Sequence, residues 1–216
     1  MTRNTEQERK TNMNTLFFDT ETTGLVKDRY SATDPRQPMP IQIGLKLDAA
    51  NRREMMAANY MIIPDGWSMD AKASEITGLT DDMAKEYGTH LITGIEFFLD
   101  MVRVSDVIVA HNANFDITVM RRAAKVYYEE IGEEYSDPFE GKTMICTMLA
   151  SIDIVKALPK RRGQYKWPRL EECIKFFFNE ELEGAHDALV DVRACARVYY
   201  ELLDDGLFSG EYKFAS

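Results

Sequence analysis

The architecture of this chain follows from one segment, Thr15-Leu-Phe-Phe-Asp19-Thr-Glu21-Thr-Thr-Gly24. A short apolar run that is closed by turn residues predicts a buried strand. Side chains alternate along a strand, so Asp19 and Glu21 should project from the same face at its end. Two neighbouring carboxylates repel each other, and burying them is costly unless a cation neutralises their charge. The pair therefore indicates a site for a hard divalent cation such as Mg2+ or Mn2+, although an isolated pair of this kind is more often two solvated acids.

Downstream of this segment, the spacing of apolar residues predicts an α/β fold. Residues 41–47 and 55–63 alternate or cluster as strands do and follow the first strand closely, which indicates an antiparallel meander. The remaining elements are predicted as strands over 106–110 and 142–149 and as helices over 71–75, 89–104, 115–128, 170–178 and 185–203. A meander followed by strand-helix units implies a mixed sheet flanked by helices.

Two further acids and a histidine occupy positions where ligands are often bound. Asp116 follows a predicted strand at the start of a helix, although it could instead be an acid that complements the helix dipole. In the last helix, Asp191 lies at the edge of the apolar stripe, and His186 precedes the first turn close to the same region. A surface histidine and a helix-edge acid are the alternative interpretation of this pair.

The bulk properties limit the class of protein. A length of 216 residues suits one domain, and a net charge of −10 argues against broad adhesion to nucleic acid or anionic membrane. No apolar run approaches the roughly 20 residues of a membrane span. Cys146, Cys173 and Cys195 are widely spaced, which indicates reduced thiols in a cytoplasmic protein with no membrane partner. We expect a mobile polar leader over 1–13, a single domain over 14–205 and a short tail over 206–216.

Taken together, these motifs resemble those of the DEDDh 3′→5′ exonucleases, a ribonuclease-H-like group that includes the proofreading epsilon subunit of bacterial replicative polymerases. The resemblance covers about residues 14–205. Its motifs are Phe18-Asp-Thr-Glu-Thr-Thr-Gly-Leu25, His111-Asn-Ala-Asn-Phe-Asp116 and Ala185-His-Asp-Ala-Leu-Val-Asp191. A sister group carries Tyr where this chain has Asp187, so His186 indicates the histidine subtype.

The resemblance implies an enzyme with two Mg2+ or Mn2+ ions that hydrolyses DNA from its 3′ end, releases nucleoside 5′-monophosphates and acts in proofreading or repair. By the same resemblance, Asp19 bridges both ions, and Glu21 and Asp191 complete the shell of one. Asp116 holds an outer-shell or water-mediated position, and His186 acts as the general base. Asp187 lies off the motif and is interpreted as a helix-start acid.

The resemblance also implies contacts with the terminal nucleotide. The matching positions are Thr22, Thr23, Gly24, Leu25, Ile76 and Thr77. Asn112 could position the strand or cap the next helix. A basic stretch with aromatic residues could follow a single strand by phosphate contact and base stacking, or could simply be a solvated loop. Its candidate residues are Lys160, Arg161, Arg162, Tyr165, Lys166 and Trp167.

Two other functions remain open at this point. One is an exonuclease that trims RNA or short oligoribonucleotides, because sugar choice depends on contacts near the 2′ position. The Asp-Thr-Glu-Thr-Thr-Gly form mildly favours DNA. The other is a non-catalytic module that binds nucleic acid beside a polymerase, which the complete set of acids argues against. The expected partners are 3′ ends of single-stranded DNA, and a DNA polymerase is a further candidate.

Overall fold

The computed structural model describes residues 13–159 and 163–207, and these contain five strands and seven helices. The expected leader and tail lie almost wholly outside the described residues, as do Lys160, Arg161 and Arg162. In chain order the elements are β1 (Thr15–Thr22), β2 (Pro40–Asp48), β3 (Glu54–Met61), α1 (Ala71–Thr77), α2 (Asp81–Tyr87), α3 (Leu91–Val104), β4 (Val107–Ala110), α4 (Ala113–Glu130), β5 (Thr143–Cys146), α5 (Thr147–Val155), α6 (Leu170–Phe178) and α7 (Ala188–Asp204).

The five strands form one mixed sheet in the order β3-β2-β1-β4-β5. The first three strands pair antiparallel, which confirms the predicted meander, and β4 and β5 then add parallel to β1. The predicted α/β class with a ribonuclease-H-like mixed sheet is therefore confirmed. Because β1 is the central strand, its Leu16, Phe17 and Phe18 are fully buried.

Helices cover both faces of the sheet. Phe18 packs in a core with residues of α3 and α4, whereas Phe17 packs in a second core with residues of α6 and α7. Asp19 and Glu21 share the strand parity of Phe17, and Thr20 shares that of Phe18. The end of β1 therefore directs its two acids and the threonine between them towards different helices.

The structure corrects the prediction of a strand over 142–149. The strand ends at Cys146, and α5 begins directly at Thr147. A short apolar run does not distinguish a buried strand from a buried helix by periodicity alone. The buried residues of this helix are Thr147, Met148 and Ser151. Two of them are polar, so the pattern of apolar residues does not identify the buried face of the helix. The short α2 is not among the predicted helices, and it begins after Thr80, whose hydroxyl accepts a hydrogen bond from Met83 N at 3.1 Å.

The start of α7 rests directly on β2. A Cβ atom at Gly44 would lie 2.4 Å from the carbonyl carbon and oxygen of Ala188, so only glycine allows this approach. Beside it, the side-chain oxygen of Gln42 accepts a hydrogen bond from Ala188 N at 3.0 Å. In the β1–β2 register, Gly44 is opposite Asp19 and Gln42 is opposite Glu21. The two residues that contact the start of α7 are therefore paired across the strands with Asp19 and Glu21.

We expect Gly44→Ala to displace the start of α7 and to lower the free energy of unfolding by about 1–3 kcal/mol, because the new methyl group overlaps backbone atoms. Urea denaturation measures the loss, and hydrogen exchange at Ala188 and Leu189 locates it. Gly66→Ala is the control, because Gly66 has φ 72 but has nothing within 4 Å of the added Cβ. That variant should lose stability without loss of protection at α7. Full protection at the start of α7 in Gly44→Ala would contradict the prediction.

Candidate active site

A cleft of about 510 Å³ opens at the end of β1, between α1, the start of α4 and the segment that precedes α7. It lies where β1 and β4 end and the following segments begin, which is the usual ligand position in open sheets. The cleft brings together all five residues that the sequence predicts as catalytic, namely Asp19, Glu21, Asp116, His186 and Asp191. Residues that are 172 positions apart in the chain thus share one concave site.

Asp116 is held by the residue between the two acids of β1. Its Oδ1 accepts hydrogen bonds from Thr20 N at 2.9 Å and from Thr20 Oγ1 at 2.7 Å. Asp116 is 3% exposed, and it lies in the first turn of α4. This double contact joins α4 to the central strand. The sequence pattern did not identify Thr20 as a functional residue. Its position between the two acids does predict that its side chain faces the opposite side of the strand from Asp19.

Asp191 keeps one carboxylate oxygen without a partner. Its Oδ2 accepts a hydrogen bond from His186 N at 3.1 Å, whereas its Oδ1 is buried and has no hydrogen-bond partner among the described residues. His186 itself adopts φ 70 and has an exposed side chain. The left-handed backbone of His186 thus places its imidazole at the cleft, while its backbone N–H is hydrogen-bonded to the carboxylate of Asp191.

Asp187 has a structural role at the start of α7. Its Oδ1 accepts hydrogen bonds from Leu189 N and Val190 N, each at 3.1 Å. Asn59 Nδ2 donates to both of its carboxylate oxygens, at 3.1 and 3.0 Å. These contacts are those of an N-cap residue, as the sequence indicates. Asp187 is therefore a natural control for the function of Asp191, four residues away.

Burial makes the charged forms of these acids costly. It raises the pKa of Asp19 well above its usual value, with Asp116, Asp191 and Glu21 adding repulsion. It raises the pKa of Glu21 to about 8, with Asp191 the main repelling neighbour. The pKa of Asp116 rises to about 7 despite the hydrogen bonds from Thr20, and that of Asp191 to about 6 despite the His186 N–H. The cleft thus concentrates negative charge that the described residues do not neutralise.

The donor set suits a hard divalent cation. Ligand atoms of Glu21, His186 and Asp191 all lie within 4.8 Å of one another. Asp19 and Asp116 line the same cleft outside this group of three. Carboxylate oxygens are the ligands that Mg2+ and Mn2+ prefer, and a cation relieves both the mutual repulsion and the unpartnered Oδ1 of Asp191. The residues present therefore fit a divalent metal site.

Most of the predicted contacts with the terminal nucleotide also line this cleft. These are Thr22, Gly24, Leu25, Ile76, Thr77 and Asn112. Leu25 is 78% exposed and Ile76 is 51% exposed, so two apolar side chains are presented to the cleft rather than to the core. Thr23 is not among the lining residues. Its hydroxyl accepts a hydrogen bond from Met39 N at 3.0 Å and joins two parts of the scaffold.

Asn112 stands at the N-cap position of α4 but makes no side-chain capping hydrogen bond. Its backbone is left-handed, with φ 61, and its side chain lines the cleft. The structure therefore does not support the capping alternative. Asp70 and Lys72 also line the cleft and were missed by the sequence analysis. Asp70 caps α1 by accepting a hydrogen bond from Ala73 N at 2.7 Å, a signal that the sequence pattern before a helix does contain.

The basic stretch is less available for phosphate contact than its sequence indicates. Lys166 Nζ lies 2.7 Å from a carboxylate oxygen of Glu172, so its charge is paired within the protein. Tyr165 is partly buried, whereas Trp167 is 63% exposed. The three consecutive basic residues lie outside the described part of the chain. None of the described helices is long and apolar enough to cross a membrane.

The RNase_T family model, described as Exonuclease, matches residues 16–199. DNA polymerase III PolC-type from Listeria welshimeri is 28% identical over 188 residues, which is 87% of this chain and 11% of that protein. The corresponding protein from Caldanaerobacter subterraneus is 26% identical over 192 residues, which is 88% and 11%. The chain therefore spans about a tenth of the length of these curated relatives.

Solved structures that share this fold include two exonucleases. Escherichia coli exonuclease I in complex with a dA16 oligonucleotide is similar with a TM-score of 0.68 and 21% identity, over 91% of this chain and 42% of that one. A moderately thermophilic exonuclease I from Methylocaldum szegediense has a TM-score of 0.66 and 23% identity, over 89% and 40%. At these identities the likeness establishes the shared fold.

We expect Asp19→Asn to stabilise the metal-free protein at pH 8. A carboxyl group whose pKa is raised by folding contributes stability below its unfolded pKa, and this contribution is lost as the pH rises through the folded pKa. Burial raises the pKa of Asp19 and brings the pKa of Glu21 to about 8, so an uncharged side chain at position 19 should raise the Tm of the metal-free protein at pH 8, by roughly 2–4 °C for each kcal/mol of relieved cost. The gain should be absent at pH 4.

Thermal denaturation in EDTA at both pH values tests this expectation. Asp187→Asn is the matched control, because asparagine caps a helix about as well as aspartate. This control should show a clearly smaller gain at pH 8, because Asp187 contributes the weakest of the repulsions that raise the pKa of Asp19. A metal-free Asp19→Asn variant that is less stable than wild type at pH 8 would contradict the electrostatic interpretation of the cleft.

Proposed function

The chain belongs to the RNase_T exonuclease family, and from that premise we propose that it is a metal-dependent 3′→5′ exonuclease acting on single-stranded DNA. The observation that carries the proposal is the convergence of four carboxylates and one histidine on a single cleft. A module that only binds nucleic acid gains nothing from crowding acids whose pKa values burial raises. A phosphodiester hydrolase gains a site for the cations that its anionic substrate requires.

The proposed metal ligands are Asp19, Glu21 and Asp191, with Asp116 in an outer position fixed by Thr20. The unpartnered Oδ1 of Asp191 is the strongest support for this assignment, since a buried carboxylate oxygen normally has a partner. When bound, Mg2+ or Mn2+ would supply positive charge for the reacting phosphate and lower the pKa of a coordinated water. We propose two such ions, in keeping with the number of carboxylates.

The proton is proposed to move to His186. Its exposed imidazole at the cleft can accept a proton from the attacking water on a ring nitrogen. The water oxygen then forms a bond to the terminal phosphorus, and the bond from phosphorus to the 3′ oxygen of the preceding nucleotide breaks. That oxygen takes up a proton from solvent. The products are a nucleoside 5′-monophosphate and a strand shortened by one nucleotide with a 3′ hydroxyl.

The terminal nucleotide is proposed to lie against Leu25 and Ile76. These exposed apolar side chains line the cleft that holds the acids, so a base or sugar could shield both of them from water. Gly24 lies beside them, and a Cβ there would meet a carboxylate oxygen of Asp70 at 2.9 Å. A side chain at position 24 would therefore crowd the carboxylate that caps α1.

DNA is the proposed substrate, and a DNA polymerase is the proposed partner. E. coli exonuclease I has been crystallised with dA16 and dT13 oligonucleotides, and the relatives in sequence are PolC-type DNA polymerases. These names support a role in DNA replication or repair. Among the described residues, three buried cysteines remain as free thiols, which is in keeping with a cytoplasmic protein.

The defining experiment is digestion of single strands labelled at the 5′ or the 3′ end, DNA and RNA in parallel, with Mg2+, Mn2+ or EDTA. We expect the 5′-labelled DNA to shorten stepwise, and the 3′-labelled DNA to release a labelled monophosphate at once. EDTA and Asp19→Ala should each abolish both signals. If the folded protein cleaves neither nucleic acid with metal, the enzyme proposal is wrong and a binding module becomes the better hypothesis. Faster digestion of RNA than of DNA would contradict the proposal that DNA is the substrate.

Metal binding can be tested separately from catalysis. We expect Asp191→Asn to weaken the binding of Mn2+, measured by isothermal titration calorimetry, by about tenfold or more, because it alters a proposed ligand. Asp187→Asn is the control, since Asp187 caps the same helix and should not affect Mn2+ affinity. Equal affinity in the two variants would remove Asp191 from the proposed ligand set.

A further inference from the structure

A second groove continues from the cleft. It has a volume of about 330 Å³ and shares Leu25, Asn112 and Phe115 with the cleft. Met148 and Leu149 of α5 and the side chain of Trp167 also line it. Asp28 is the one charged residue among those that line it. The groove is thus an apolar extension of the cleft, and it is open to solvent along an exposed indole.

The segment that carries Trp167 is fastened on both sides. Lys166 N donates to Ala157 O at 3.2 Å, and Lys166 Nζ pairs with Glu172 at 2.7 Å. On the other side, the carbonyl oxygen of Pro168 lies 3.1 Å from His111 Nε2. Trp167 is therefore held in place although 63% of its surface is exposed. Because Trp167 also lines the groove, its fixed indole offers a flat apolar face at that wall.

His111 links this segment to the base of the cleft. A carbonyl oxygen only accepts, so Nε2 must carry the proton that it donates to Pro168. The neutral ring then accepts a hydrogen bond at Nδ1 from the hydroxyl of Thr147, at 2.9 Å. Burial lowers the pKa of His111 to about 4, in agreement with a neutral ring at pH 7. One imidazole thus connects the loop of Trp167 with the start of α5, directly beside Asn112.

We propose that this groove holds the nucleotides immediately 5′ of the terminal one, with an unpaired base stacked on Trp167 and His111 as the positioning residue for its loop. The occupant follows from continuity, because the wall that the groove shares with the cleft gives a strand whose 3′ end lies in the cleft a direct path into the groove. It also follows from chemistry, because an apolar groove with almost no charge accepts bases rather than phosphates. This inference rests on the proposed function.

The groove also narrows the substrate class. A base stacked on an indole cannot be paired and stacked in a duplex at the same time. The substrate is therefore a single strand, or a duplex whose 3′ end has at least two unpaired nucleotides. Stacking is tolerant of sequence, since every base has a π face. The groove should accordingly favour unpaired ends without strong preference among the bases.

The test compares an oligothymidylate with the p-nitrophenyl ester of thymidine 5′-monophosphate, which can occupy only the terminal position. Trp167→Ala should lower the ratio of kcat/KM for the oligonucleotide to that for the ester by about 5- to 100-fold, chiefly through KM. Trp167→Phe should restore much of the ratio. An oligonucleotide with abasic sites at the second and third positions from the 3′ end should show little difference between wild type and Trp167→Ala.

Binding without turnover gives a second measurement. In an Asp19→Asn background, anisotropy of a 5′-labelled oligothymidylate should show weaker binding when Trp167 is replaced by Ala. His111→Ala should weaken it to a similar extent, and His111→Gln, whose amide can donate to Pro168, should recover part of the affinity. The double variant of His111 and Trp167 should be no weaker than Trp167→Ala alone.

The outcomes separate this proposal from the function on which it rests. If wild type hydrolyses neither the ester nor the oligonucleotide with metal, the proposed function is wrong. If it hydrolyses both and Trp167→Ala lowers them equally, Trp167 is a structural residue and the groove proposal is wrong. An unchanged ratio together with unchanged oligonucleotide affinity also overturns it, because the strand then leaves the cleft by another route.

Discussion

The contact between the start of α7 and the glycine on β2 is the constraint on which this structure depends. A helix that begins within van der Waals distance of a strand backbone cannot shift along it, and Gly44 permits that distance. Because Gly44 and Gln42 are the strand partners of Asp19 and Glu21, the same contact sets the position of Asp191 relative to both. The pairing register of β1 and β2 thus determines how far the acids of β1 lie from Asp191 of α7, although no hydrogen bond joins these acids directly in the described structure.

This arrangement stores unfavourable electrostatic energy in the scaffold. Four acids with raised pKa values share one cleft, and the hydrogen bonds from Thr20 and from His186 N offset only part of the cost. The two apolar cores on either side of β1 hold the acids together against this repulsion. Sites of this kind are typical of places where function, and not stability, has determined the residues.

The sequence carried much of this information because the acids occur at recognisable boundaries. Asp19 and Glu21 close an apolar strand, and Asp116 opens a helix, so their positions could be inferred from local pattern. The start of α5 could not, because Thr147 and Ser151 are polar yet buried. The contact of Gly44 with the start of α7 could not be predicted either, because a glycine within a strand does not indicate which helix packs against it. The role of His111 depends on three segments that only the tertiary fold brings together.

Under the proposed function, a protein with a net charge of −10 would have to bind a polyanion through local contacts. Long-range attraction opposes the encounter, and Lys166, which the sequence offers as a phosphate contact, is paired with Glu172. Under the proposed function, the described structure offers Lys72 on the wall of the cleft, cations that the acidic cleft would hold, and exposed apolar side chains on which bases would stack. Stacking requires an unpaired base, and cation binding requires the terminal phosphate to reach the acids. Together these contacts would favour the 3′ end of an unpaired strand over its internal positions, because the acidic surface of the protein does not attract the rest of the nucleic acid.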